Sequence, residues 1–239
     1  MRDRFERPLP RRFYKDVTVS SEGPPFSILL DGRPVKTPMK ALLALPSQAL
    51  AEAVAKEWAA QEETINPFSM PLTRIANAAI DRVQGRRAAV MDDLLKIARH
   101  DMLCYRVAHP AELAAQQAAL WDPLLAWAEE ALDARLVVSA DIMPHPQPKA
   151  ALSSLKGALV AFDDFSLAAI STMAGLAHSL VIALAVAHGR IDPETAWQAA
   201  NVEEDWNISQ WGEDVEAAAR RRANTRDFLA AARMLTLIS

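Results

Sequence analysis

Between residues 165 and 189 the chain reads FSLAAISTMAGLAHSLVIALAVAHG, 25 residues with no formal charge apart from two histidines. Nothing else in the sequence constrains the fold as hard. A helix that is apolar all round must be buried, in lipid or in the middle of a large helical domain. The run is long enough to cross a bilayer. Ser166, Ser171, Thr172, His178 and Ser179 dilute it, however, and no basic cluster precedes it. Ala169, Gly175 and Ala183 suit close helix packing. The segment therefore reads as a central helix over residues 165–188, and no stable membrane insertion is expected.

Such a helix needs neighbours, and the pattern supplies them. Helices are expected over 72–84, ending at Gly85 in a left-handed cap, and from there to about 107. Another covers 111–133, with Pro123 kinking or splitting it, and another 148–162. The last two are expected at 193–211, opened by Asp192-Pro193, and at 213–237. Residues 136–139 could be a short strand, and MPHPQPK (143–149) is a proline-rich loop. The first 46 residues look different. FYKDVTVSS alternates, with Phe13, Lys15, Val17 and Val19 on one side. Two extended runs flank Asp31-Gly32, a strong hairpin signal, and ALLALP gives a fourth run. Ser47 can cap a helix to about residue 63, with Leu50, Val54 and Trp58 on one face. The expectation is an α+β chain: a small N-terminal β-rich domain with a linking helix (1–70), then a larger all-helical domain (71–239).

With 51% hydrophobic residues among 239, the chain can bury a sizeable core. A net charge of −4 argues against nucleic acid as a partner. Arg220, Arg221 and Arg222 follow Glu213, Asp214 and Glu216 and read as a solvated helix face. The single cysteine, Cys104, excludes an internal disulfide and fits a reducing compartment. The N-terminal MRDRFERPLPRRFYKD lacks the apolar core of a secretory signal, and Asp3, Glu6 and Asp16 make it a poor organellar presequence. A cytoplasmic protein is expected. Without heptads or an obvious strand-exchange edge, it is expected to be a monomer when free.

Sequence motifs for chemistry are mostly absent. There is no P-loop, no Gly-x-Gly-x-x-Gly and no Gly-x-Ser-x-Gly. His100, His109, His145, His178 and His188 lack metal-ligand spacing. No cofactor, metal or catalytic residue is assigned. Two carboxylates stand out by helical phase. In one continuous helix over 193–211, at about 100° per residue, Glu204 falls inside the apolar stripe of Trp197, Ala200, Ile208 and Trp211. Glu203, Asn207, Gln210 and Asp214 form a separate polar line, flanked by Trp206. Asp101 likewise shares a face with Val90, Leu94, Ile97, Cys104 and Tyr105 if its helix continues. An unpaired buried carboxylate is costly, so each acid needs a partner or a purpose. For Asp101 that is an internal ion pair with Arg74, Arg82 or Arg106. For Glu204 the choices are an internal pair, a partner-binding surface with a tryptophan anchor, or an acid–base pair with Asp101 in a cleft enzyme.

Several segments together select among these. DMLCYR (101–106), the following Pro110, Leu113, Gln117 and WDPLLAW (121–127), SLVIALA (179–185) and EEDWNISQWGED (203–214) resemble the ATP-twelve family. So do RFYKDVTV (12–19) and DGRPVKTP (31–38). These are assembly chaperones for the alpha subunit of the F-type ATP synthase headpiece, in mitochondria and alphaproteobacteria. The resemblance implies an N-terminal β domain, a helical C-terminal domain and a non-enzymatic role: holding free alpha subunit until beta subunit replaces it. It also implies a functional acid at Glu203 or Glu204, of which helical phase favours Glu204. The glutamine usual after the family's aromatic residue is Asn207 here, a shorter polar arm. Glu203, Glu204, Trp206, Asn207, Gln210 and Trp211 are thus the expected partner-binding residues, and Asp101 a structural buried acid. The poor presequence fits a bacterial member better than a mitochondrial one.

Overall fold

Strand β2 (Phe26–Leu30) is joined by every other strand. In this computed structural model, which describes residues 8–20, 23–140 and 145–238, β1 (Val17–Val19) pairs antiparallel with it, Thr18 opposite Leu29. The hairpin turn at Asp31-Gly32 has φ of +48° and +78° and leads into β3 (Arg33–Pro34). Two successive positive φ values match the right-handed twist of the flanking strands, which is why Asp-Gly is favoured there. The fourth strand, β4 (Ala44–Leu45), pairs with Phe26 and Ser27. Ile28 and Leu30 point into the core with period two. The alternation expected from Phe13 fails before β1: Tyr14 is 5% exposed and Phe13 75%. The chain bends at Lys15, where the Asp31 carboxylate accepts from the Lys15 and Asp16 amides. Those amide bonds hold the Asp31 carboxyl below the usual carboxylate range.

Ser47 caps α1 (Gln48–Ala59) by accepting from the Leu50 amide, and the helix stops short of the expected residue 63. It packs against β1, β2 and β4 on one side and against the helical part on the other. That part runs through α2 (Pro71–Ala78), a π-helical turn (Ala79–Val83), α3 (Arg87–Arg99), α4 (Ala111–Leu132), α5 (Lys149–Val160), α6 (Asp164–Ala177), α7 (Leu180–Ala187), α8 (Pro193–Ala200), α9 (Val202–Trp211) and α10 (Val215–Ile238). Gly85 takes φ +76° after the π turn. Pro123 lies inside α4 without splitting it, and Asp133 ends that helix at φ +53°. Residues 136–139 form no strand; Ser139 makes one isolated bridge to Tyr105. The start of the loop expected at 143–149 lies outside the described residues.

Three expected helices are broken. The one expected to reach about 107 ends at Arg99, and Met102–Cys104 form a 3-10 turn. The central apolar run divides at His178 (φ +49°) and Ser179 into α6 and α7. The third break is at Asn201, between α8 and α9. Among the described residues no helix is long and apolar enough to cross a membrane. The apolar run is instead the core: Leu180 to Ala185 are all completely buried, and α6 packs on α2, α3, α7 and α10.

Hydrogen bonds tie the sheet region to the helices. Glu57 of α1 caps α2, accepting from Leu72 N, Thr73 N and Thr73 Oγ1 at 2.7–2.8 Å. The Thr37 hydroxyl donates to Asp81 at 2.6 Å, and the Ser47 hydroxyl donates to the Leu237 carbonyl. Buried side chains from Tyr14 to Met234 form one continuous cluster.

Candidate partner-binding site

The stretch NVEEDWNISQWGED spans α9 and the corner into α10. Asn201 lies outside both flanking helices, and its side-chain amide donates to the Trp197 carbonyl at 2.7 Å. A helical count carried through this residue loses its phase, so the continuous stripe from Trp197 to Trp211 does not exist. Trp197 is buried against Phe228, with ring centroids 5.1 Å apart. Trp211 is 78% exposed. Glu204 is not on a core-facing stripe; it is half-exposed on the flank facing α10.

The three acids of the first turn suit the positive end of a helix, and each meets a different neighbour. Glu203 accepts at 2.7 Å from the amide of Gln117, a completely buried side chain of α4. The Gln117 oxygen in turn accepts from the Val107 amide. Asp205 takes the close contact with Arg221 of α10. Glu204 stands 4.0 Å from the same guanidinium, the outer limit of an ion pair. The helix is therefore strapped to α4 by Glu203 and to α10 by Asp205, while Glu204 keeps most of its charge unspent. Arg221 accordingly is no solvated-face residue, unlike the expectation for the run at 220–222.

At the far end the chain turns through Gly212 at φ +84°, a conformation that favours glycine. The Asp214 carboxylate then accepts from the Ala217 amide and opens α10. Two large apolar side chains are left in water here, Trp211 and, at 80% exposure, Val215. A groove of about 210 Å³ at Trp211 is lined by Glu204, Asn207, Ile208, Glu213 and Asp214, with Arg221 as its one cation among the described residues. Asn207 and Gln210 are exposed, whereas Trp206 is half-buried and packs on the core. An exposed indole beside carboxylates, with an exposed isopropyl group nearby in the chain, costs solvation with no internal return, a feature of surfaces that meet a partner. Val215 was missed by phase reasoning. Its signal was a lone aliphatic between Asp214 and Glu216.

Asp101 is not brought to this corner. It is completely buried and caps the 3-10 turn rather than lying in a helix, accepting from Leu103 N at 3.2 Å and from Val181 N at 3.1 Å. Burial pushes its pKa up to about 6, against the opposing pull of hydrogen bonds from Ser179 and the Val181, Leu103 and Leu180 amides. Among the described residues no arginine pairs with it: Arg74 bonds Asp227, and Arg106 forms an ion pair with Asp122. A carboxyl with every side enclosed has no route to substrate, and Asp101 and Glu204 do not share a cleft. Among the described residues no group of three His, Cys, Asp or Glu side chains could hold a metal ion.

The model of the family described as ATP12 chaperone protein matches residues 11–129. The mitochondrial protein atp12 of Schizosaccharomyces pombe is 24% identical over 245 residues, covering 96% of this chain and 84% of that protein. Among solved structures, Atp12 from Paracoccus denitrificans is 38% identical, with a TM-score of 0.87 over 96% of this chain and 99% of its own. The Atu1473 protein from Agrobacterium tumefaciens is 43% identical, with a TM-score of 0.91 over 97% of this chain and 87% of that one. Identity at this level over nearly whole chains, with the same sheet-then-helices order, settles the family. The chain belongs to the ATP12 family of chaperone proteins.

Proposed function

We propose that this ATP12-family chaperone of ATP synthase assembly binds the free alpha subunit of the F-type headpiece. It keeps that subunit from aggregating, without ATP, until beta subunit displaces it. The observation that carries the reading is the acidic corner, where exposed Trp211 shares a groove with Glu204, Glu213 and Asp214, and Val215, next to Asp214 in the chain, is exposed as well. In the assembled ring the flanks of alpha are covered by beta, so alone it exposes apolar surface prone to association. A holdase must cover that surface reversibly. Trp211 supplies an amphipathic anchor of the kind that dominates interfaces. Glu204, loosely held by Arg221, supplies a charge that a basic group on alpha can claim. Glu203 and Asp205 set the position of α9, and Trp206 seats it on the core. Asn207 and Gln210 offer polar contacts along its exposed line.

The test is size-exclusion chromatography with light scattering on the purified protein, mixed without nucleotide with freshly diluted alpha or beta subunit from the same organism. A one-to-one complex with alpha and none with beta is expected. If neither subunit co-elutes and alpha still aggregates, the reading fails.

A further inference from the structure

Arg221 faces the acidic corner, but three other arginines of α10 do not. Arg222, Arg226 and Arg233 follow at intervals of four and seven, which puts them on one helix face. That face is one wall of a groove of about 550 Å³ between α10 and the start of α2, with Pro71, Leu72, Leu229 and Ala230 as its apolar lining. All three arginines are exposed. Among the described residues Arg222 and Arg233 have no ion-pair partner. Arg226 approaches Asp227 at 3.7 Å, a carboxylate already bonded by Arg74 at 2.6 Å. The one acid in the groove, Glu57, is committed to capping α2. Like charges one turn apart disfavour a helix, yet this chain of net charge −4 places three cations over an apolar floor where, among the described residues, the two nearby carboxylates, Glu57 and Asp227, are already bonded elsewhere.

We propose that this groove is a second docking surface for the client, taking a segment that presents aliphatic side chains between carboxylates. The inference rests on the alpha-subunit reading and deepens it: one helix would separate two client contacts of opposite charge, the acidic corner and the basic groove. Charge complementarity selects the occupant's chemistry. A second copy of this chain could offer its own acidic corner to the groove, but that contact is head-to-tail and would build open chains, which defeats a holdase.

The experiment measures alpha-subunit binding to the full chain, to a variant carrying Arg222→Gln, Arg226→Gln and Arg233→Gln, and to one with the same three changed to Glu. The Gln variant is expected to bind about tenfold more weakly and the Glu variant about a hundredfold, each with reduced salt dependence. Thermal melting should barely change, because none of the three arginines has a close internal ion pair. If the Glu variant does not fold, the Gln variant decides. In parallel, a photo-crosslinker is attached at Thr225→Cys; Cys104 is buried and does not compete. The adduct is expected in a net-acidic peptide of alpha with an aliphatic centre. If the wild type does not bind alpha at all, the alpha-subunit reading falls, and this inference with it. If the wild type binds and both arginine variants match it, only the groove is overturned. An adduct in a basic peptide overturns it too, as does an effect confined to self-association.

Discussion

Asp101 is a fully buried carboxyl with no ion-pair partner among the described residues, and the cost shows in its titration. Its pKa in the fold, about 6, lies above the ordinary aspartate value of 3.8, so folding favours the protonated form. The stability this provides is fully present below about pH 4 and is lost as pH rises through about 6. Two pKa units correspond to about 3 kcal/mol. Asp31, Asp92 and Asp192, whose pKa values are lowered, act in the opposite sense, but only at lower pH. Between pH 4.5 and 7.5 the wild type should therefore lose several degrees of melting temperature relative to Asp101→Asn, whose side chain cannot ionise. A gap between the two proteins that stays constant across this range would show that Asp101 does not titrate there. A second contrast concerns the acids around Arg221. Asp205→Ala removes the close partner of a half-buried guanidinium and should cost about 1 kcal/mol. Glu204→Gln removes a contact at the limit of pairing and should cost less than about 0.5 kcal/mol, while weakening alpha-subunit binding. Chemical denaturation of both variants, run beside a binding assay, separates the roles. If Glu204→Gln is the more destabilising, Glu204 is the structural member of the pair.

Breaks between helices decide more of this fold than helices do. Ser179 opens α7 by accepting from the Ile182 amide at 3.0 Å, while Asp101 accepts from Val181 beside it. The start of α7 is completely buried, so water cannot replace either acceptor. Ser179→Ala should cost about 1–2 kcal/mol, read as a lower denaturant midpoint with an unchanged slope. A neutral result would mean that Asp101 alone satisfies that helix end. The sequence made most of the helices legible because their apolar periodicity and caps are local: Ser47, Asp192-Pro193 and Gly85 are where they were expected. The Asp31-Gly32 hairpin was legible for the same reason. The breaks at His178 and Asn201 were not, because neither residue is a strong breaker. His178 adopts a left-handed φ and its carbonyl accepts from the distant Met102 amide at 3.0 Å, and Asn201 leaves the helix with its side chain bonded back to Trp197. That is why the site was legible only in part. The acids and tryptophans of 203–211 are near one another, but a phase count through Asn201 turned Glu204 inward and Trp211 with it. Val215 left only a lone aliphatic between two acids as its signal, and the arginine spacing on α10 does not tell that α2 forms the other side of a groove, a contact across the fold that no local pattern carries.

For the whole molecule, the question is whether the sheet can unfold while the helices stand. The sheet is small, and a few short strands need packing from elsewhere to persist. That packing comes from α1, whose Leu50 and Val54 are completely buried and whose other contacts are with α2 and α10. Polar links run the same way: Glu57 holds the start of α2, Thr37 holds Asp81, and Ser47 holds the end of α10 at Leu237. Cutting the chain's structure at α1 would thus expose apolar surface on both sides and orphan a buried helix start. Leu50→Ala leaves a cavity at this junction and should cost about 2–5 kcal/mol. In a protein of this length that is a fall of roughly 5–15 °C in melting temperature. If the junction couples the two parts, calorimetry will show one transition, displaced as a whole, and circular dichroism and tryptophan fluorescence will follow it together. If the helices are independent, a second transition will remain at the wild-type temperature. The contacts made by Glu57, Thr37 and Ser47 would then be too weak to hold the acidic corner and the sheet in one cooperative body, and a client touching both would meet two separately moving surfaces.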